Sequence, residues 1–223
     1  MAEFKSAART QTSILAAAEK RALIWLAERM PRWVNSDHLT AVGFLGQVAA
    51  GVGYWYARQD PLTGFMLVNL CLVVNWFGDS LDGTLARVRD LQRPRYGFYL
   101  DHILDSIGSV FLLGGLGLSG YMSRDVCAGL LIVYLLLSIE VFLATYTLGK
   151  FRISFGAFSP TELRILLVIG NFVALWRPMV NIAGRYYLLF DVGAVCGIVG
   201  MTAVLIGSTV RHTRQLYREE TRW

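Results

Sequence analysis

Asp79-Ser80-Leu81-Asp82-Gly83-Thr84-Leu85-Ala86-Arg87, followed after nine residues by Gly97-Phe98-Tyr99-Leu100-Asp101-His102-Ile103-Leu104-Asp105, is the stretch on which the fold turns. Its surroundings are apolar enough to cross a membrane, yet it carries four aspartates. Ionised carboxylates are costly in lipid and persist where they face a cavity, a metal or a substrate. Asp79 and Asp82 are spaced i, i+3, and Asp101 and Asp105 are spaced i, i+4, so on helices each pair shares one face. Two such faces turned toward each other make an all-oxygen cage, suited to hard divalent cations such as Mg²⁺ or Mn²⁺.

The rest of the chain agrees with a membrane setting. Its 223 residues are 55% hydrophobic, and the mean hydropathy is +0.47. That is too apolar for an ordinary soluble domain, and the length suits one membrane bundle without a second sizeable domain. Cys71, Cys127 and Cys196 sit in apolar segments and read as packing residues rather than disulfide or zinc partners. No cleavable signal peptide is expected, because residues 1–21 are polar and mixed in charge.

Residues 12–32 read as an amphipathic helix lying in the membrane interface, since Glu19, Lys20, Arg21, Glu28 and Arg29 interrupt its apolar positions. Six spans follow at 38–57, 62–88, 97–120, 126–149, 161–179 and 187–210, each near the ~20 residues needed to cross the hydrocarbon. The expected fold is therefore all-α, with an interfacial helix in 1–34, a six-span catalytic bundle in 38–210 and a tail in 211–223. With both termini on one side, that side holds seventeen of the basic residues and the other holds four. This asymmetry places the termini and the four aspartates at the cytoplasmic face. Glycines recur in the first and third spans, where small residues let helix backbones approach closely.

The ordered string from Asp79 to Asp105 resembles the signature of the CDP-alcohol phosphotransferase family, integral-membrane enzymes of phospholipid synthesis, and every fixed position of that signature is present. The resemblance implies transfer of a phosphatidyl or phospho-alcohol group from a CDP-linked donor to an acceptor hydroxyl, with release of CMP. It implies two divalent ions, one held by Asp79, Asp82 and Asp101 and the other by Asp79, Asp101 and Asp105. Asp105 is implied as the base that takes the acceptor proton. Gly83 and Ala86 leave space for the nucleotide, and Arg87 offers a planar fork to a phosphate oxygen. Gly97 is expected to let the loop turn into the third span. The resemblance further implies a homodimer; membrane lipids and no nucleic acid are the expected partners, in an inner membrane of bacterial or archaeal type.

Family members carry a donor-binding stretch at the start of the first span, and Asn35-Ser36-Asp37-His38-Leu39-Thr40 occupies that place here. Asp37 and Thr40 fit the pattern, while Ser36 stands where Pro is usual. Ser36 or Asp37 could equally cap the helix. Pro94 stands where many members have a hydroxyl, so Arg93 or Arg95 would supply a charge contact instead, or anchor the loop.

The acceptor is less sharply defined. The basic run typical of phosphatidylinositol-phosphate synthases is absent, with only Lys150, Arg152 and Arg164 in that region. Asp101-His102-x-x-Asp105 and Tyr146-Thr147-Leu148-Gly149 resemble choline/ethanolamine phosphotransferases. Glu140 and Glu162 are candidates for a cationic headgroup, although Glu140 could simply make an interhelical hydrogen bond. His102 points off the ligand face and reads as a packing residue or a neighbour of the ligands. Trp76, Tyr96 and Tyr146 could line a headgroup cage or anchor at the interface. Two other readings use the same acids: a cation or proton transporter, and an inactive member of the fold.

Overall fold

Helix boundaries fall where the sequence offers a cap or a break. The computed structural model describes residues 16–148 and 160–221. Its elements are α1 (Ala16–Arg29), α2 (Ser36–Tyr56), α3 (Pro61–Val88), α4 (Pro94–Ser119), α5 (Arg124–Leu148), α6 (Pro160–Trp176), β1 (Met179–Ile182), β2 (Arg185–Leu188) and α7 (Leu189–Glu220). Asn35 opens α2 with a reciprocal cap: its side chain accepts from the His38 amide at 2.9 Å, and the His38 ring accepts from the Asn35 amide. The cap is therefore Asn35, not Ser36 or Asp37. Asp60 caps α3, accepting from the Thr63 amide at 3.2 Å, and Pro61 follows at the first helical position.

Helix α2 lies at the centre, packed on α3 and α4; α6 lies against α3, and α5 joins α4 to α7. At its closest points α2 meets its neighbours backbone to backbone. A Cβ on Gly78 of α3 would fall inside the Gly43 backbone, and one on Gly115 of α4 would fall inside the Gly51 carbonyl. Such approach is the usual device for tight helix pairs in lipid. At the end opposite the aspartates, an aromatic cluster closes the bundle. Tyr54 meets Phe65 and Phe190 edge-on, and Phe65 meets Tyr121 at 4.8 Å between centroids. Tyr54 donates to Asn171 of α6 at 2.9 Å, and Asn171 donates to Asn69 of α3 at 2.7 Å.

The chain is an integral membrane protein and has, among the described residues, four helices long and apolar enough to cross a bilayer: α3, α4, α5 and α7. The other two expected spans are helices but differ in character. Helix α2 is wrapped by α3 and α4 and carries Asp37, His38 and Gln47. Helix α6 has an apolar stretch only from Leu163 to Trp176, and its 17 residues reach about 25 Å against a ~30 Å hydrocarbon core.

Three boundaries depart from the sequence reading. Helix α4 begins at Pro94, so Gly97 sits in its first turn, donating to the Arg93 carbonyl at 2.8 Å, and not in the loop. Between α6 and α7 the chain forms a short antiparallel hairpin, with Met179 opposite Leu188 and Ile182 opposite Arg185. Its two-residue turn, Ala183-Gly184, has φ of 51° and 83°, the left-handed pair that suits the twist of adjoining strands. Helix α7 runs ten residues past 210, to Glu220; its polar last turns are good helix formers, and Gln215 donates to Glu219 four residues on at 2.9 Å.

Helix α1 is present from Ala16, and the expected residues 12–15 lie outside the described region. Part of its apolar face is used by the protein itself: Leu23 and Ala27 are buried with Leu39, Leu81 and Leu85.

The α2–α4 contact predicts a sharp contrast between neighbours. Gly115→Ala should destabilise the protein by about 2–3 kcal/mol, because backbone must move to admit the methyl. Gly114→Ala, whose Cβ would meet nothing within 4 Å, should change stability by less than ~0.5 kcal/mol. Unfolding of both variants in detergent checks this.

Candidate active site

The carboxylates meet where the end of α3 lies beside the start of α4. One oxygen from each of Asp79, Asp101 and Asp105 lies within 4.8 Å of the others, and all three residues are half-buried. Three ionised carboxylates that close repel one another, and an all-oxygen set of this kind fits a hard divalent cation. The donor chemistry and spacing thus fit a metal of the expected class.

Asp82 belongs to the same helix but turns elsewhere. It is only 9% exposed. Its Oδ2 accepts from the Thr40 hydroxyl at 2.6 Å, and its Oδ1 accepts from the Gly83 amide. Ser36 adds a bond to the Asp82 carbonyl at 3.0 Å. Thr40 and Ser36, expected to touch a donor or cap a helix, therefore dock the start of α2 onto Asp82.

Asp79 has a partner that the sequence reading left among general basic charges. Arg164, on α6, donates Nη2–H to Asp79 Oδ2 at 2.5 Å and Nε–H to Asn75 Oδ1 at 2.8 Å. Asn75, 4% exposed, donates in turn to the Gly43 carbonyl at 3.0 Å. The pair is largely enclosed, with side-chain exposures of 16% for Arg164 and 22% for Asp79. Tyr134 of α5 reaches the same region, with its hydroxyl beside Ser109 and Ser138 and in the field of Asp105 and Asp79. Ser109 donates to the Asp105 carbonyl at 2.7 Å.

The expected donor-binding residues lie at the start of α2, the end of α3 and the start of α4. Arg87 is exposed and donates to the Thr84 hydroxyl at 3.0 Å. Gly83 and Ala86 are half-buried, and a Cβ on Gly83 would come 3.4 Å from the Arg87 guanidinium. A Cβ on Gly97 would meet nothing within 4 Å, so space is open there. Asp37 forms an ion pair with Arg93 of the α3–α4 connection, both substantially exposed at 38% and 50%. Arg93 also lies over the Tyr96 ring at 4.4 Å.

Several other side chains have structural partners. His102 stacks on Phe98 at 4.2 Å, packs edge-on to Phe142, and its Nδ1 lies 2.7 Å from the Phe98 carbonyl. Trp76 packs against the buried cluster under α1, and its indole N–H donates to Glu19 at 2.8 Å. Glu19 also accepts from Thr161 at 3.0 Å, so α1 bridges α3 and α6. Glu140 makes the interhelical bond that the sequence allowed, to His212 of α7 at 2.6 Å. Arg89, counted only as a basic residue, donates to the carbonyls of Met30, Pro31 and Val34 and ties the α1–α2 connection to the end of α3. Lys150, Arg152 and Gly149 lie outside the described residues, as does the Glu162 side chain.

A helical membrane protein with a three-carboxylate cluster between two adjacent helices defines a class of intramembrane acidic site. The family model for CDP-alcohol phosphatidyltransferases matches residues 33–207, and the chain belongs to that family. It is 29% identical to cholinephosphotransferase 1 of Gallus gallus over 192 residues, covering 78% of this chain and 55% of that protein. It is 30% identical to archaetidylinositol phosphate synthase of Pyrococcus horikoshii over 93 residues, 42% of this chain and 46% of that protein. The chain spans about half the length of the curated relatives it matches. In fold it resembles the crystal structure of Mycobacterium tuberculosis phosphatidylinositol phosphate synthase (PgsA1) with CDP-DAG bound. The TM-score is 0.60 at 20% identity, covering 86% of this chain and 94% of that one.

Two ion pairs of unequal burial give a direct test of these contacts. Arg164→Met leaves Asp79 without its enclosed partner and should cost about 3 kcal/mol of stability. Arg93→Gln removes an exposed pair and should cost less than ~0.5 kcal/mol. Thermal unfolding of the two purified variants reads the difference.

Proposed function

We propose that this protein transfers a phosphatidyl or phospho-alcohol group from a CDP-linked donor to an acceptor hydroxyl and releases CMP. The observation that carries the reading is the convergence of Asp79, Asp101 and Asp105 within a chain of this family. Asp79, Asp101 and Asp105 form the core of the proposed ligand set for two divalent ions. Asp82 joins it from one turn further along α3; Thr40 uses one acceptor position of a carboxylate that has several. Mg²⁺ or Mn²⁺ bound there would neutralise the pyrophosphate and stabilise the departing phosphate of CMP.

The protein's own groups do the rest. Asp105 accepts the proton of the attacking hydroxyl, the step that makes the acceptor a competent nucleophile. Arg87, exposed beside the cluster, turns from Thr84 to donate two hydrogen bonds to a donor phosphate. Gly83, Ala86 and Gly97 keep side-chain bulk away from the nucleotide. Asp37 and Arg93 stand at the rim as nucleotide contacts. Arg164 and Asn75 fix the carboxylate of Asp79.

In the proposed topology α2 and α6 also cross the membrane, giving six spans, and α1 lies at the interface. Both termini and the aspartates face the cytoplasm, where a soluble nucleotide has access, and the enzyme is a homodimer. The acids cluster at the end of the bundle with an arginine fork beside them, which favours phosphoryl chemistry over an ion relay at mid-membrane. Similarity to cholinephosphotransferase over most of the chain supports a small CDP-amino alcohol as one donor to test, with CDP-diacylglycerol as the other. With Glu140 bonded to His212, support for that acid as a headgroup reader is weak. The deciding experiment supplies purified protein with each donor and a panel of alcohols, and measures CMP and the lipid formed. No CMP from any pairing would overturn the reading.

Three outcomes are expected. Activity should vanish in excess chelator and return with Mg²⁺ or Mn²⁺, whereas Ca²⁺ should support little turnover because its longer, looser coordination misplaces the phosphates; full activity in chelator would refute metal dependence. Asp79→Asn should abolish metal binding and activity together. Asp105→Asn should lower turnover by about 10²–10⁴-fold with a smaller effect on donor binding. Calorimetry of donor binding separates the two, and the opposite pattern would reverse the assigned roles. Arg87→Lys keeps the charge but not the fork, so the apparent KM for the donor should rise.

A further inference from the structure

Lined by none of the four aspartates, a hollow of about 290 Å³ lies between α5 and α7. One wall is apolar: Val141, Ala144 and Leu148 of α5. The other is polar: Arg211 and Gln215 of α7, beside the paired Glu140 and His212. Arg211 and Gln215 also border an open groove that continues along α7 past Arg214 and Arg218. Arg211, Arg214 and Arg218 are exposed and spaced i, i+3, i+7, so they project from one face of the helix. The acid on that face, Glu219, accepts from Gln215, which leaves the groove with a cationic excess.

The depth of the groove is informative. The apolar run of α7 extends from Leu189 to Val210, about 33 Å at 1.5 Å per residue, close to the hydrocarbon thickness. Arg211 therefore stands at the boundary where lipid phosphates lie, with aliphatic side chains on the hydrocarbon side of it and two more guanidiniums on the aqueous side. Basic residues that only orient a helix need no common face and no apolar wall beside them. These have both, and guanidinium forks match phosphate oxygens.

We propose that the α5–α7 hollow and the arginine face of α7 form a binding site for an anionic phospholipid of the surrounding bilayer. Its phosphate is held by Arg211 and Gln215, its acyl chain lies along Val141, Ala144 and Leu148, and Arg214 and Arg218 draw the headgroup charge. The site is separate from the aspartate cluster and does not rest on the catalytic reading.

Native mass spectrometry of the purified protein with phosphatidylglycerol and phosphatidylcholine of equal chain length tests the site. Wild type should retain phosphatidylglycerol preferentially, and the preference should fall as salt rises. The double variant Arg214→Gln/Arg218→Gln should lose about thirty-fold of that preference, the equivalent of ~1 kcal/mol for each basic residue near the surface. A charge-matched control, Arg29→Gln/Arg32→Gln, removes two basic residues outside the groove and should keep the preference. The proposal is overturned if wild type shows no preference, or if both double variants lose it equally. It is also overturned if the groove variant changes only self-association while lipid retention is unaltered, which would assign the face to a second copy of the chain.

Discussion

Helix α2 comes closest to its neighbours through main chain, at paired glycines, and much else follows from that. At Gly43 and Gly78 it meets α3, and at Gly51 and Gly115 it meets α4, with no room for a methyl group at Gly78 or Gly115. In lipid the hydrophobic effect gives little reason for one apolar helix to prefer another, so close packing and hydrogen bonds must supply the preference. The glycines let α2 sit deep between α3 and α4. From there, Ser36 and Thr40 reach Asp82, and the Gly43 carbonyl reaches Asn75.

A second consequence is electrostatic. Aspartates near the membrane-facing part of a bundle are tolerable only where protein replaces water as their solvent. Here that solvent is specific. Arg164 stands against Asp79, Thr40 and the Gly83 amide against Asp82, and the open side at Gly97 leaves room for ligand. Arg89 does comparable work on the α1–α2 connection, where it collects three carbonyls that have left helical geometry.

Spacing made part of this legible. The i, i+3 and i, i+4 intervals put the acids on helix faces, and hydropathy located each long helix to within a few residues at most ends. What periodicity yields is a face; it does not say what the face meets. Asp82 shares a face with Asp79, yet its carboxylate also accepts from Thr40 of α2, a contact that spacing does not show. Arg164 read as one more charge near a membrane surface because its partner lies 85 residues away. Asn35 displaced Asp37 as the cap because it could bond reciprocally with His38. The Ala183-Gly184 turn was missed because the seven-residue link between the expected spans, 180–186, gave little alternation to mark strands. Helices α2 and α6 carry too much polarity or too few residues to stand out as α3, α4, α5 and α7 do.

The bridge made by Glu19 has a meaning in time as well as in space. It joins a residue of the first helix to Trp76 and to Thr161. A growing chain emerges from its N-terminus, so α1 exists long before α6 has been synthesised. It can lean on α3 early, but its hold on α6 must wait until residue 161 has been added, and the same delay governs the meeting of Arg164 with Asp79. The acidic pocket and the helix beside it are thus finished together, late in biosynthesis. A chain interrupted between α5 and α6 would display four aspartates without the arginine that steadies Asp79.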